Sequence, residues 1–178
     1  MWELYTKQFR GYLQLERGLS AHSVEAYVHD VEKLREYLSL SGERLSPSQV
    51  NDLHLLNFLK YLVELGLAPH SQARFLSGIK AFFRFLLLEE CIESDPTELI
   101  EAPRLPRKLP DVLSYDEICT LFESLDHATP EGTRNRAMLE VLYSCGLRVS
   151  ELLSLQLTEC YFELGFIRVF GKGNKIRL

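Results

Sequence analysis

The chain has 178 residues and a mass of 20.6 kDa; 46% of its side chains are apolar and 11% aromatic. That is enough for one ordinary domain or two small ones and excludes a disordered or collagen-like polymer. The formal net charge of −5 opposes a polyanion partner, because phosphate binding needs clustered cations.

The distribution of charge matters more than the sum. Residues 1–101 hold ten Lys/Arg against fifteen Asp/Glu, whereas 102–178 hold ten of each. Three basic islands stand out: Leu65 to Leu88, with Arg74, Lys80 and Arg84 and no acid; Arg104, Arg107 and Lys108; and the stretch after Glu163, where only Arg168, Lys172, Lys175 and Arg177 are charged. The longest apolar runs, Phe82-Phe83 and Phe85 to Leu88, are cut by Arg84 and Glu89-Glu90. They are far short of the roughly 20 residues a membrane-spanning helix needs, so no membrane role is expected. Met1-Trp2-Glu3 opens without a basic n-region, and Cys91, Cys119, Cys145 and Cys160 form no C-x-x-C pair. A reducing cytoplasm and four buried structural thiols are the expectation.

Four helices are predicted over residues 1–90. Trp2, Tyr5, Phe9, Tyr12 and Leu13 recur at three and four, as do Val24, Tyr27, Val28, Val31, Leu34 and Leu38, giving each segment one buried stripe. Gly18 ends the first helix, Ser20 caps the second and Gly42 closes it. Ser46-Pro47-Ser48-Gln49 reads as a capping box opening a third helix with Leu53, Leu56, Leu59, Tyr61 and Leu62, and Ser71 starts a fourth with Phe75, Leu76, Ile79, Phe82, Phe83, Leu86 and Leu87 inward. Such spacing implies a small bundle.

Asp95-Pro96, Pro103, Pro106 and Pro110 then break any helix, and residues 102–110 read as a semi-stiff basic linker, either a spacer or a strap along a polyanion. Ser114 to Glu117 forms a second capping box before Ile118, Leu121, Phe122 and Leu125. Thr133 is predicted to cap a helix over Arg134 to Ser144, burying Ala137, Met138, Val141 and Leu142, and Gly146 closes it before a short helix from Leu147 to Leu152. The period then changes from 3.6 to 2: Phe166 to Phe170 is a strand, Gly171 to Asn174 a turn and Lys175 to Leu178 the return, with an earlier strand near Cys160 to Glu163. A three-stranded sheet with short helices on one side buries too little for a finished fold, and the expectation is that the natural polypeptide continues.

Two features exceed what a scaffold needs. Arg148 opens a helix, where the dipole slightly disfavours a cation, between Leu147 and Val149, both expected to be buried. It needs a partner, and Glu151 or Glu140 would make that a structural ion pair. The second is Gly171-Lys172-Gly173-Asn174-Lys175, either a solvated turn or a tip holding two lysines for a ligand. It is not a phosphate-binding loop of the Walker type, since Gly165 lies one residue too far away and Gly173 stands where Ser or Thr would be needed.

Thr133 to Leu152, followed by Ile167 to Arg177, resembles the first half of the catalytic domain of a tyrosine site-specific recombinase of the phage-integrase family, Xer type. Leu19-Ser20, Ser23, Tyr27 and Asp30-Val31, with the stretch from Asp95-Pro96 to Leu109-Pro110, is similar to that family's helical core-binding domain and linker. The implied fold is mainly α with a small antiparallel β-sheet. It comprises an N-terminal four-helix, SAM-like, DNA-binding domain over 1–101, a Pro-rich linker over 102–110, and an incomplete α+β catalytic domain over 111–178. The implied chemistry is strand cleavage and rejoining through a 3′-phosphotyrosyl link, with no metal or cofactor. Arg148 matches the first catalytic arginine, whose planar fork can hold two phosphate oxygens. Lys172 matches the hairpin lysine, a general acid whose proton release neighbouring cations such as Lys175 or Arg177 would favour, with Lys175 as the alternative. Arg74, Lys80, Arg84, Arg104, Arg107, Lys108, Lys175 and Arg177 are the expected DNA-binding residues. The implied partners are a double-stranded DNA core site and a homo- or hetero-tetramer with a related recombinase.

Departures from the family pattern count too. None of the five histidines has Arg three residues later, and all eight tyrosines, Tyr5 through Tyr161, precede the hairpin, whereas the family's nucleophile follows it. No tyrosine here inherits that role, so this chain alone is expected to bind DNA and cleave none. The alternatives are a non-catalytic DNA-binding or adaptor protein that kept the fold, and a helical protein-interaction module, for which the acidic first half is the argument.

Overall fold

The computed structural model describes residues 1–42, 44–105, 109–171 and 175–178. The chain divides into two compact units, Met1–Arg107 and Lys108–Leu178.

In the first unit, α1 (Trp2–Gly11) runs into a widened π-turn, Tyr12–Glu16, whose ring is closed by Arg17 N–H donating to the Tyr12 carbonyl at 3.1 Å. Gly18, at φ +59°, then reverses the chain, a backbone state that an L side chain enters at a cost. Helix α2 (Ala21–Leu40) is capped by Ser20, whose hydroxyl accepts from Ser23 N–H at 3.3 Å. The Ser46 box opens only a single turn, Pro47–Gln49; α3 (Asp52–Glu64) begins later, where Asn51 accepts from His54 N–H at 3.0 Å. The later start changes which face is inward. Leu55, Phe58 and Leu62 are buried, whereas Leu53 and Leu56, expected inside, are 59% and 49% exposed. Helix α4 (Pro69–Leu88) starts two residues before Ser71 because Pro69 occupies its first turn, where a missing N–H is harmless.

Helix α4 is the spine of the bundle. Phe75, Leu76, Ile79, Phe82, Phe83, Phe85 and Leu86 are buried against α1, α2 and α3, while Leu87 lies outside, contrary to its predicted place in the stripe. Phe82 meets Phe9 edge to face at 5.3 Å between centroids, and Phe85 lies 5.5 Å from Phe9. Fully burying each such ring is worth about 2 kcal/mol. The Asp95-Pro96 turn is closed by Asp95 Oδ1, which accepts from Thr97 N–H at 2.8 Å and Thr97 Oγ1 at 2.7 Å, and it seats Ile100 on the core.

One polar pair penetrates this core. Asp30 on α2 has a side chain only 2% exposed and receives both arms of Arg74 from α4, at 2.5 and 3.2 Å. Gly78 of α4 leaves room for it: a Cβ there would stand 2.3 Å from Asp30 Oδ2.

In the second unit, α5 (Tyr115–Glu123) carries the expected capping box, with Glu117 N–H donating to Ser114 Oγ at 3.3 Å and Ser114 N–H to Glu117 Oε2 at 2.7 Å. Helix α6 (Pro130–Cys145) is capped by Thr129, not Thr133, because Pro130 takes the first helical position and Thr129 Oγ1 accepts from Gly132 N–H. Gly146, at φ +56°, ends α6, and α7 (Val149–Ser154) follows. The expected single sheet is instead two short antiparallel ladders. Strand β1 (Cys160–Tyr161) pairs with β2 (Phe166–Ile167), and β3 (Val169–Phe170) pairs with β4 (Ile176–Arg177) in the register Val169 to Arg177. Arg168 divides the long strand between them by donating its N–H to the Glu159 carbonyl.

Among the described residues of this unit, Val169 is the one buried large apolar side chain. Ile118, Phe122, Leu125, Met138, Val141, Leu142 and Leu147 are only half-buried, Ala137 and Leu121 are exposed, and Val149 is 65% exposed. Short helices and two-residue ladders offer no continuous opposing layer, so the predicted apolar stripes exist without being covered. The four thiols are not fully buried as expected: Cys91 is half-buried against the core of the first unit, Cys119 and Cys160 are half-buried, and Cys145 is exposed. Among the described residues, no helix is long and apolar enough to cross a membrane.

Candidate phosphate-binding site

Glu151 organises the second unit's polar centre. Its side chain is 5% exposed, and it stands at the third position of α7, from which it reaches back over the helix start. Oε2 accepts the Arg148 backbone N–H at 2.8 Å, and Oε1 accepts Arg148 Nη1 at 2.7 Å. From the other side Arg177 Nη2 donates to Oε2 at 2.7 Å and to the Gly146 carbonyl at 3.1 Å. These donors, the Arg148 N–H foremost, hold the carboxyl below its usual range although burial pushes the other way. Glu151 is therefore anionic at neutral pH, and one carboxylate ties the α6–α7 turn to the return strand of the hairpin.

The consequence for Arg148 is orientation without enclosure. Its side chain remains 63% exposed, and only Nη1 is engaged among the described residues. Nε and Nη2, the adjacent edge of the fork, are left for an incoming oxyanion. Of the two partners foreseen for Arg148, Glu151 is the actual one; Glu140 instead pairs with Arg136 at 2.7 Å. A second pair, Arg168 with Glu159, braces the strand junction, and the donated hydrogen bond from Arg168 holds Glu159 below its usual range.

The other predicted cations fall into five groups. Arg177 is committed to Glu151 and Gly146. Lys175 and Arg104 are exposed, and Lys175 contributes its carbonyl to Gly171 N–H at 2.8 Å, closing the hairpin base. Arg74 is turned onto Asp30 rather than left open. Lys80 and Arg84 stand one turn apart on α4, carry no ion pair among the described residues, and line a cleft of about 460 Å³ with Glu93, Asp95 and Glu98. Lys172, Arg107 and Lys108 lie outside the described residues.

Sequence reasoning missed the convergence on Glu151. The Arg-x-x-Glu spacing of 148 and 151 signals the near partner, but nothing local signals that Arg177, 26 positions on, shares it. It also missed the Asp30–Arg74 pair, separated by 44 residues. No cluster of three metal-ligating side chains occurs among the described residues.

Residues 6–90 match the family described as "Phage integrase, N-terminal SAM-like domain", and residues 111–178 match "Phage integrase family". The chain belongs to the phage integrase family. It is 39% identical over 173 residues to the "Tyrosine recombinase XerD" of Staphylococcus epidermidis, across 97% of this chain and 58% of that protein. It is 41% identical over 173 residues to the protein of the same name in Staphylococcus saprophyticus, with the same coverage. The chain thus spans somewhat under two thirds of the length of these relatives. Its fold is similar to that of a lambda integrase (75–356) dimer bound to a COC′ core site, with a TM-score of 0.75 at 16% identity, over 98% of this chain and 60% of that one. The mostly helical architecture with small antiparallel ladders is that of a phage integrase, as the sequence implied.

Proposed function

We propose that this phage integrase family chain belongs to a site-specific DNA recombinase acting in the cytoplasm, in which residues 1–101 bind DNA, 102–110 link, and 111–178 form the first part of the catalytic domain. The observation that carries the reading is Arg148, fixed through its backbone and one arm by buried Glu151 while the rest of its fork faces solvent. Such a group can receive two non-bridging oxygens of a scissile phosphate and stabilise charge that grows in the transition state. Lys172, the residue after the hairpin base, is assigned the general acid that protonates the departing 5′-oxygen. The nucleophile would be a tyrosine, leaving a 3′-phosphotyrosyl link, and none of the eight tyrosines follows Tyr161. In the 178-residue chain we therefore expect binding without cleavage. The parent activity we assign is strand exchange on a short duplex core site by a tetramer with itself or a related recombinase, in resolution of chromosome dimers.

The test joins this chain to the carboxy-terminal two fifths of the Staphylococcus epidermidis relative. Arg148→Ala in that chimera should reduce covalent DNA adduct at least about 100-fold, the usual cost of losing one transition-state donor. Duplex affinity should change little. Parallel loss of binding would make Arg148 structural, and adduct formation by the 178-residue chain itself would refute its assignment as a binding piece. A non-catalytic adaptor is the second reading, favoured by the position of the tyrosines; an inactive chimera that still binds duplex DNA would support it.

A further inference from the structure

The first unit contains a basic concavity that the sequence reading did not assemble. A cavity of about 320 Å³ opens between the π-turn, α2 and α4, lined by Tyr12, Arg17, Tyr27, Lys80 and Arg84, with Leu13, Leu19 and Ala81 as apolar wall. Among the described residues no carboxylate lines it, in a unit whose acids outnumber its bases. A second cleft that shares Lys80 and Arg84 holds Glu93, Asp95 and Glu98, which repel an anion.

Arg17 is the decisive member. The π-turn and the left-handed Gly18 place it there, opposite α4 across the cavity, at the kind of helix irregularity that proteins often retain at functional sites. Its side chain shares the cavity wall with Tyr12 and Tyr27 and makes no ion pair among the described residues, which leaves its fork of N–H donors available to an anion. The Tyr27 hydroxyl adds a neutral donor. Ser77, also at the rim, spends its proton on the Ala73 carbonyl at 2.9 Å and contributes none.

We infer that Arg17, Lys80, Arg84 and the Tyr27 hydroxyl form a pocket for one backbone phosphate of duplex DNA. The inference rests on the reading above that this unit binds DNA, and it adds both the site and Arg17. Cations from two walls converge on a single tetrahedral anion, while the apolar wall lowers the local dielectric and strengthens each contact. The pocket reads no base; it fixes the register of the unit on the duplex.

The experiment is a salt titration of the whole chain with a fluorescently labelled duplex, read by anisotropy. For Arg17→Ala the slope of log affinity against log salt should fall by about 0.9, the equivalent of one phosphate contact. Arg17→Lys should retain the slope, and Lys60→Ala, which removes an α3 charge outside the pocket, should leave it unchanged. An unchanged slope in Arg17→Ala, or an equal fall in Lys60→Ala, would overturn the pocket while leaving DNA binding intact. No salt-dependent binding by the unaltered chain would overturn the DNA reading itself, and the pocket with it. Inorganic phosphate displacing the duplex far better than chloride at matched ionic strength would reassign the cavity to a free anion and refute the inference.

Discussion

Replacing Asp30 by Asn should shift stability in favour of the substituted protein as pH rises from acid to neutral. The Asp30 carboxyl is enclosed between α2 and α4, and burial pushes its pKa up to about 6 from 3.8, with the Arg74 guanidinium pulling back only in part. The folded state thus holds the proton more tightly than the unfolded chain does. Stability from this group is fully present below 3.8 and is lost as pH rises through about 6. Holding the proton to about 6 where the unfolded chain releases it at 3.8 means that ionised Asp30 costs about 3 kcal/mol. The substituted amide has the same shape and no charge to desolvate, but it offers Arg74 one acceptor where the carboxylate offers two, a loss that does not vary with pH. The stability of Asp30→Asn relative to the unaltered protein should therefore rise by about 3 kcal/mol between about pH 4 and about pH 7.5. Urea unfolding followed by helical circular dichroism across that range measures it. A difference independent of pH, or one that falls as pH rises, would show that Arg74 outweighs burial and refute the reasoning.

The same pair predicts that Arg74→Met costs about 2 to 3 kcal/mol in the unaltered background but under about 1 kcal/mol in the Asp30→Asn background. A double-mutant cycle in urea decides it; equal costs would mean that the two residues are uncoupled. Gly78→Ala should destabilise by about 3 kcal/mol, because its methyl group would displace the buried Asp30 carboxylate, and Asp30→Ala should rescue much of the loss on thermal melting. In the second unit the sign is opposite: hydrogen bonds hold Glu151, Glu159 and Glu117 below their usual range, so their stabilisation is present above about 4.5 and is lost as pH falls through the lowered values. Hydrogen exchange should therefore show residues 109–171 losing protection only below about pH 4.5, while α2 and α4 keep theirs. Glu151→Gln should mobilise Arg148 and Arg177 together, seen as parallel narrowing of their side-chain NMR signals; narrowing of one alone would break the proposed linkage.

What could be read from the sequence follows from the range of the interactions. The π-turn aside, helices α1, α2 and α4 are local and periodic, with Ser20 capping α2 and Pro69 opening α4, so their stripes could be read within a residue or two. The face of α3 was misread because the Ser46 box is a genuine cap on a turn that does not propagate, and the real start at Asn51 rotates Leu53 and Leu56 outward. Thr129 and Thr133 both satisfy the spacing for a cap, and only the position of Pro130 separates them. In the site, Arg148 was visible because a cation at a helix start is locally costly. Arg177 read as a free phosphate contact, since its attachment to Glu151 depends on the strand pairing and not on its neighbours. Arg17 was overlooked for the same reason: its companions lie on α4 and α2, distant in sequence.

The thin interior of the second unit has a practical outcome at the bench. With Val169 as the one large apolar side chain fully withdrawn from water among the described residues after 108, little opposes transient opening there. A limiting dose of trypsin should nick that portion first, at bonds after Arg134, Arg136 and Arg168, then trim back to exposed Arg104, leaving a resistant helical fragment of about one hundred residues whose rings around Phe82 keep it shut.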